Sequence, residues 1–268
     1  MSITEQVSAD PAPRRLSYVG FAVIVVAYLA IIQLGGRVAR AVFDSGDGFT
    51  TTRDVMVNMW IPLGAAAVFT YAVVTWLGWG RPVLREERRL RRWTWAVPII
   101  LAVCILLAIN YAGLADKGIG FVLALLVATQ FVGWGEEGMF RGVGVNILRE
   151  HGLTEGKVAL WSSIVFGSVH LTNALAAGGQ AIAQAVVVSF AGYFFYLIRR
   201  ASGGNALNSV LHGLFDFSLI SCTAIAVDQE LYLGAVAGFL AYVIIAVVVI
   251  IGRKRLEPAA ATDVPSRS

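Results

Sequence analysis

From residue 231 to 252 the sequence reads LYLGAVAGFLAYVIIAVVVIIG, and none of those side chains carries a charge. A helix needs about 20 mostly apolar residues to cross a hydrocarbon core of about 30 Å. Only helices and closed barrels can satisfy their own backbone there. This run therefore predicts a membrane-crossing helix. Comparable runs fall near residues 17–36, 56–79, 94–114, 119–148, 158–177, 180–198 and 204–225. The fold expected is all-α, a polytopic integral membrane protein with about eight transmembrane helices. Composition agrees, because charged residues make up only 14% of the chain. Soluble domains carry roughly 25%, and a chain with so few would have little to cover a wet surface with. A single multi-pass membrane domain is expected over residues 17–252, with a cytoplasmic N-terminal tail at 1–16. Residues 253–268, polar and rich in Ala and Pro, read as a disordered cytoplasmic tail.

Basic residues orient the spans, since cytoplasmic loops carry an excess of Lys and Arg. Arg14 and Arg15 precede the first run, and Arg81, Arg85, Arg88, Arg89, Arg91 and Arg92 crowd the loop after the second. Arg149 and Lys157 follow the fourth, Arg199 and Arg200 the sixth, and Arg253, Lys254 and Arg255 the eighth. The alternate side holds Arg37, Arg40, Arg53 and Lys117, so the division is fifteen against four. Both termini are expected in the cytoplasm of a cell membrane. The Ala-, Val- and Arg-rich composition points to a bacterium. The net charge of +4 is thereby explained by topology, and no nucleic-acid partner is expected. Cys104 and Cys222 both lie in apolar runs without CxxC spacing and read as small packed hydrophobes.

Ionisable groups inside those runs are the informative exceptions. At the bilayer centre each costs several kcal/mol, so it normally has a partner and a task. Glu136, Glu137 and Arg141 lie in the fourth run, His170 and Asn173 in the fifth, and Asn205, Asn208, His212 and Asp216 in the seventh. On a regular helix Glu137 and Arg141 lie within about 40° of each other and can pair. Glu136 is turned away by about 100° and needs a partner from another helix. Counted from the basic ends of their spans, Glu136, His170 and His212 come to the same depth within roughly 6 Å. One polar chamber could collect them. Asp216 shares a face with His212, and Asn173 shares one with His170. Gly133, Gly135, Gly138, Gly142 and Gly144 would let neighbouring backbones approach the fourth helix.

Taken in order, Glu136-Glu137-x-x-x-Arg141, Phe166-x-x-x-His170 and His212-x-x-x-Asp216 resemble the CPBP (ABI) family, which includes the eukaryotic type II CaaX prenyl endopeptidase. The resemblance covers about residues 119–220 and implies peptide-bond hydrolysis within the membrane. It implies that Glu136 and His170 activate a water, while His212 and Asp216 stabilise the oxyanion or position the scissile carbonyl. Glu137, Arg141 and Asn173 would support them. Many family members carry Asn where this chain has Asp216, and an ionised Asp accepts hydrogen bonds without donating any. The family has been described both as zinc-dependent and as metal-free. Glu136, His170 and His212 are the set that would hold zinc, and there is no HExxH helix. The metal-free reading, with no cofactor, is the one favoured.

The expected function is an intramembrane endopeptidase acting on a membrane-associated or lipidated, CaaX-like peptide, with membrane lipid as its surroundings. The alternative is a non-catalytic bacteriocin-immunity or scaffold protein, whose mark would be a degraded motif set. A proton- or ion-coupled transporter would also keep buried carboxylates, but the chain shows no internal repeat of the kind such folds use.

Overall fold

The computed structural model describes residues 13–173, 180–223 and 234–257. Parts of both expected tails, residues 1–12 and 258–268, lie outside that set. Among the described residues the regular structure is helical, and one isolated β-bridge joins Arg85 to Gly204.

The chain opens with α1 (Tyr18–Phe43), capped by the Ser17 hydroxyl, which accepts from the Gly20 N–H at 3.0 Å. It continues through α2 (Thr52–Leu77) and the short α3 (Gly80–Leu84). Next come α4 (Ala96–Ala108) and α5 (Tyr111–Lys117), then the long α6 (Ile119–Glu150). The last four are α7 (Glu155–Val169), α8 (Gln180–Ser202), α9 (Asn205–Thr223) and α10 (Ala235–Gly252). The protein is an all-α, multi-pass membrane protein.

Five of the described helices, α1, α2, α6, α8 and α10, are long and apolar enough to cross a bilayer, and a sixth span results if α4 and α5 act together. That third expected run is bent by 57° between α4 and α5. Asn110 starts the new helix by accepting from the Gly113 N–H at 2.9 Å, while its own N–H donates to Ser221 Oγ at 3.1 Å. The two other expected spans are the histidine-bearing ones. Helix α7 has only 15 residues, and α9, with 19, is interrupted by Asn205, Asn208, His212 and Asp216. Polar content lowers the apolar signal at the very places where a polar site is built.

Packing follows the small residues. Helices α6 and α9 are close neighbours, as are α7 and α8, α4 and α10, and α1 and α2. At the α6–α9 contact a Cβ on Gly133 would lie 2.2 Å from the Ser209 carbonyl oxygen, a distance no side chain tolerates. Gly213 is reciprocal: its Cβ would stand 2.7 Å from the Thr129 carbonyl. Between helices in lipid such contacts supply the attraction that the hydrophobic effect provides in water. The outward faces are correspondingly apolar, with Val23, Val26, Leu106, Leu107, Ile244 and Ile251 exposed. Cys104 and Cys222 are buried and unbridged, as expected.

The connecting segments gather at two ends. At the basic end Arg14 N donates to Leu77 O at 2.9 Å, Glu86 N to Gly203 O at 3.0 Å, and Arg91 N to Leu256 O at 3.2 Å. At the other end Lys117 Nζ donates to Thr50 O at 2.9 Å and Arg40 pairs with Asp47 at 2.9 Å. Charge segregation in the sequence thus corresponds to two ends of one bundle.

The basic end is stapled by charge. Glu86 takes Arg149 at 2.8 Å and Arg199 at 3.1 Å, and Glu155 takes Arg149 at 2.9 Å together with Arg88. Arg200 reaches Glu257 at 2.7 Å. Arg199 and Arg200, expected in a loop, instead form the last turn of α8 and are almost fully buried. Burial alone would raise the Glu155 carboxyl, but hydrogen bonds from Arg149 and Tyr196 and the Arg149 charge hold it at about 2. Glu86 is likewise raised by burial and lowered further by Arg149 and Arg199, ending below the usual carboxylate value.

Candidate active site

Helix α6 carries both carboxylates, and it is not a regular helix where it does so. From Glu137 to Gly144 it adopts a π turn, with i→i+5 hydrogen bonding that fits an extra residue into each turn. π turns are rare, and they recur at functional sites. Side chains are absent where the helix is tightest against its neighbours: a Cβ on Gly138 would meet Thr70 Cγ2 at 2.9 Å, and one on Gly142 would meet Val83 Cγ1 at 2.7 Å. The glycine run signalled close approach, as the sequence suggested. It did not signal the π geometry.

Glu137 is fully buried and serves three partners. Arg141 Nη1 lies 3.1 Å from its Oε1, His212 Nδ1 lies 2.8 Å from the same oxygen, and Asn208 donates to Oε2. The pair expected within α6 is therefore present, and α9 shares it. Asn208 and His212 are four apart on α9 and meet one carboxylate, so a single group fixes the rotation of that helix against α6. Because a carboxylate accepts, His212 Nδ1 carries the hydrogen and Nε2 points onward.

Nε2 points to the other two acids. It lies 3.7 Å from Glu136 Oε2 and 3.7 Å from Asp216 Oδ2. Neither distance is a hydrogen bond. The imidazole is oriented by Glu137 rather than by Asp216, which stands by as a second polar group. Aromatic rings complete the seat: Phe195 stacks on His212 with centroids 4.4 Å apart, and Phe166 meets it edge-on at 5.9 Å. Arg141 sits over Phe166, with Cζ 3.7 Å from the ring centroid, and its three guanidinium nitrogens make no hydrogen bond. The ion pair and the ring face together hold this buried charge.

His170 approaches from α7. That helix ends at Val169, and His170 opens a 3₁₀ turn, His170–Asn173, instead of continuing the expected span. The His170 ring packs on Phe166 at 5.1 Å, and its Nδ1 lies 3.0 Å from the Phe166 carbonyl oxygen. A carbonyl can only accept, so Nδ1 holds the hydrogen and Nε2 of the neutral ring keeps its lone pair. The Asn173 side chain lies outside what is described.

Glu136 and His170 line one cavity of about 120 Å³, together with Tyr28, Gln33, Phe140 and Thr172. There is room for several waters. Glu136 Oε2 is buried without a hydrogen-bond partner. A wider apolar groove of about 460 Å³ adjoins the cavity, and Leu29, Phe140, Val169 and Thr172 line both. The structure thus brings Glu136, His170, His212 and Asp216 to one place, with Glu137 and Arg141 beneath them. Tyr28 and Phe195 join that place without having been singled out in the sequence. Nothing marks either one, since both sit in apolar runs where aromatic residues are ordinary.

Over residues 118–218 the chain matches the family model described as type II CAAX prenyl endopeptidase Rce1-like. That segment contains each of the motif residues. The match covers 101 of the 268 residues, and over that stretch the chain is similar to this family. No curated protein and no solved structure matches the chain. The CAAX-protease family supports a hydrolytic, proteolytic kind of activity for this site.

Among the described residues no group of three or more His, Cys, Asp or Glu side chains is arranged to hold a metal ion.

Proposed function

We propose that the chain is an intramembrane endopeptidase in which Glu136 and His170 activate a water. The observation that carries this reading is the cavity itself. Two side chains able to accept a proton, supplied by different segments, line one cavity with room for water, and one of them has a buried oxygen with no hydrogen-bond partner. A buried carboxylate oxygen left unpaired is costly and calls for an occupant.

In this mechanism His170 Nε2 accepts a hydrogen bond from the water and holds it. Glu136 takes a proton as the water oxygen attacks the scissile carbonyl carbon. The carbonyl π electrons move onto oxygen. With Nδ1 tied to Glu137, the protonated form of His212 presents Nε2–H to that oxyanion. The C–N bond then breaks as Glu136 returns the proton to the departing amine. Asp216, 3.7 Å from His212 Nε2, stands beside it as a second polar group.

The apolar groove alongside the cavity favours a substrate whose reacting end carries a long apolar group, such as a lipidated C-terminal peptide. The crowd of Arg at one end favours placing that end, with both termini, in the cytoplasm. Comparing peptide termini in membranes that contain wild type or Glu136→Ala at matched levels tests the reading. Termini formed only with wild type are the expected result. Identical termini from two folded proteins would instead favour an immunity or scaffold role.

A further inference from the structure

The matched family segment begins at residue 118, but the cavity is completed by a residue ninety positions earlier in the chain. Tyr28 on α1 is 1% exposed, and its hydroxyl has no hydrogen-bond partner. Buried tyrosines usually find one, and leaving the group unpaired costs stability. The ring is held firmly. It meets Phe140 edge-on with centroids 6.2 Å apart and packs among Val25, Ala66, Met139 and Phe166. The hydroxyl reaches α6 beside the catalytic carboxylate, where a Cβ on Gly135 would come within 3.2 Å of it. Glycine at 135 leaves the space that the hydroxyl occupies.

Resting on the protease reading above, we propose that Tyr28 is a substrate-contacting residue whose hydroxyl donates a hydrogen bond to the oxyanion of the scissile carbonyl. It would act together with His212, whose Nε2 lies 3.7 Å from Glu136 Oε2. Its ring fixes the donor before substrate arrives, which is the condition for electrostatic stabilisation without reorganisation. A merely space-filling Tyr28 would be replaced by Phe without consequence.

The full chain in detergent is tested with an internally quenched peptide ending in a farnesylated CaaX sequence. New peptide termini in membranes are followed in parallel, so that an unsuitable probe does not end the test. Tyr28→Phe should lower kcat by about 10²-fold, the usual effect of losing one oxyanion donor. KM should stay within about threefold, since the interaction forms only in the transition state. Tyr71→Phe is the control. It also removes a tyrosine hydroxyl, here a half-buried one whose partner is the Trp134 carbonyl at 3.4 Å, and it should cut like wild type. Wild-type cleavage by folded Tyr28→Phe overturns the proposal and leaves the dependence on Glu136 intact. Absence of any cleavage that Glu136→Ala removes, in either assay, overturns the protease reading and this proposal with it. If Tyr28→Phe does not fold, 3-fluorotyrosine at position 28 keeps the shape and makes a more acidic donor. Its kcat should then differ from wild type, and an unchanged kcat again overturns the proposal.

Discussion

Two charge clusters share this bundle, and they are built on opposite principles. At the basic end Glu86, Arg149, Glu155, Arg199 and Arg200 are matched acid to base, and Arg199 also donates to the Val83, Pro82 and Arg85 carbonyls. In the apolar interior Glu136 Oε2, the Tyr28 hydroxyl and the Arg141 guanidinium have no hydrogen-bond partner. The first cluster is a staple between loops. The second leaves capacity unused around a cavity, as a site awaiting a reactant should. Burial and charge do not tell the two apart. Satisfaction does.

The comparison can be broken most sharply at Glu136. Replacing it with Ala should lower peptide-bond cleavage by about 10²–10⁴-fold, the range for loss of a general base. The unfolding temperature should stay at or above that of wild type, because the group lost was unpaired. A marked fall in that temperature, with cleavage retained, would reverse the assignment of the two clusters.

Glu86→Ala should do the reverse. It strands the fully buried Arg199, and removing one partner of a buried ion pair costs about 3–5 kcal/mol. Denaturation in detergent should show that loss, while the cleavage rate per folded molecule should change little.

Acid should loosen the staple by a smaller step. Glu155 has a folded-state pKa of about 2 against an ordinary 4.5, so its contribution is complete above about 4.5 and is lost as the pH falls toward 2. Unfolding followed across that window should show wild type losing stability, and Glu155→Gln losing less of it. Equal losses would remove Glu155 from the staple.

Asp216→Asn should have the smallest effect. Its carboxylate lies 3.7 Å from His212 Nε2, and Glu137 provides the close hydrogen bond. The rate should stay within about tenfold of wild type, a barrier change below about 1.4 kcal/mol. A larger fall would show that charge at 216, rather than a polar group as such, is required.

Most of the interior cluster was legible beforehand because charge in an apolar run is conspicuous. Glu136, Glu137, Arg141, His170, His212 and Asp216 could be picked out, and the Glu137–Arg141 pair follows from helical spacing. Two roles were not legible. Glu137 was read as the partner of Arg141 alone, because a spacing rule sees one helix and His212 comes from another. Tyr28 carried no signal, because an aromatic residue in an apolar run is ordinary until it is found lining a cavity with its hydroxyl unpartnered.

By itself the sequence determined the solvent, the class of fold and the inventory of costly groups. Each of those follows from local composition and from the requirement that a backbone in lipid satisfy itself. Only the tertiary structure decided which groups meet. The π turn at Glu137, the stop of α7 at His170 and the glycine contacts between α6 and α9 are products of packing between distant segments. Those contacts set the distances within the site, and no spacing along one helix encodes them.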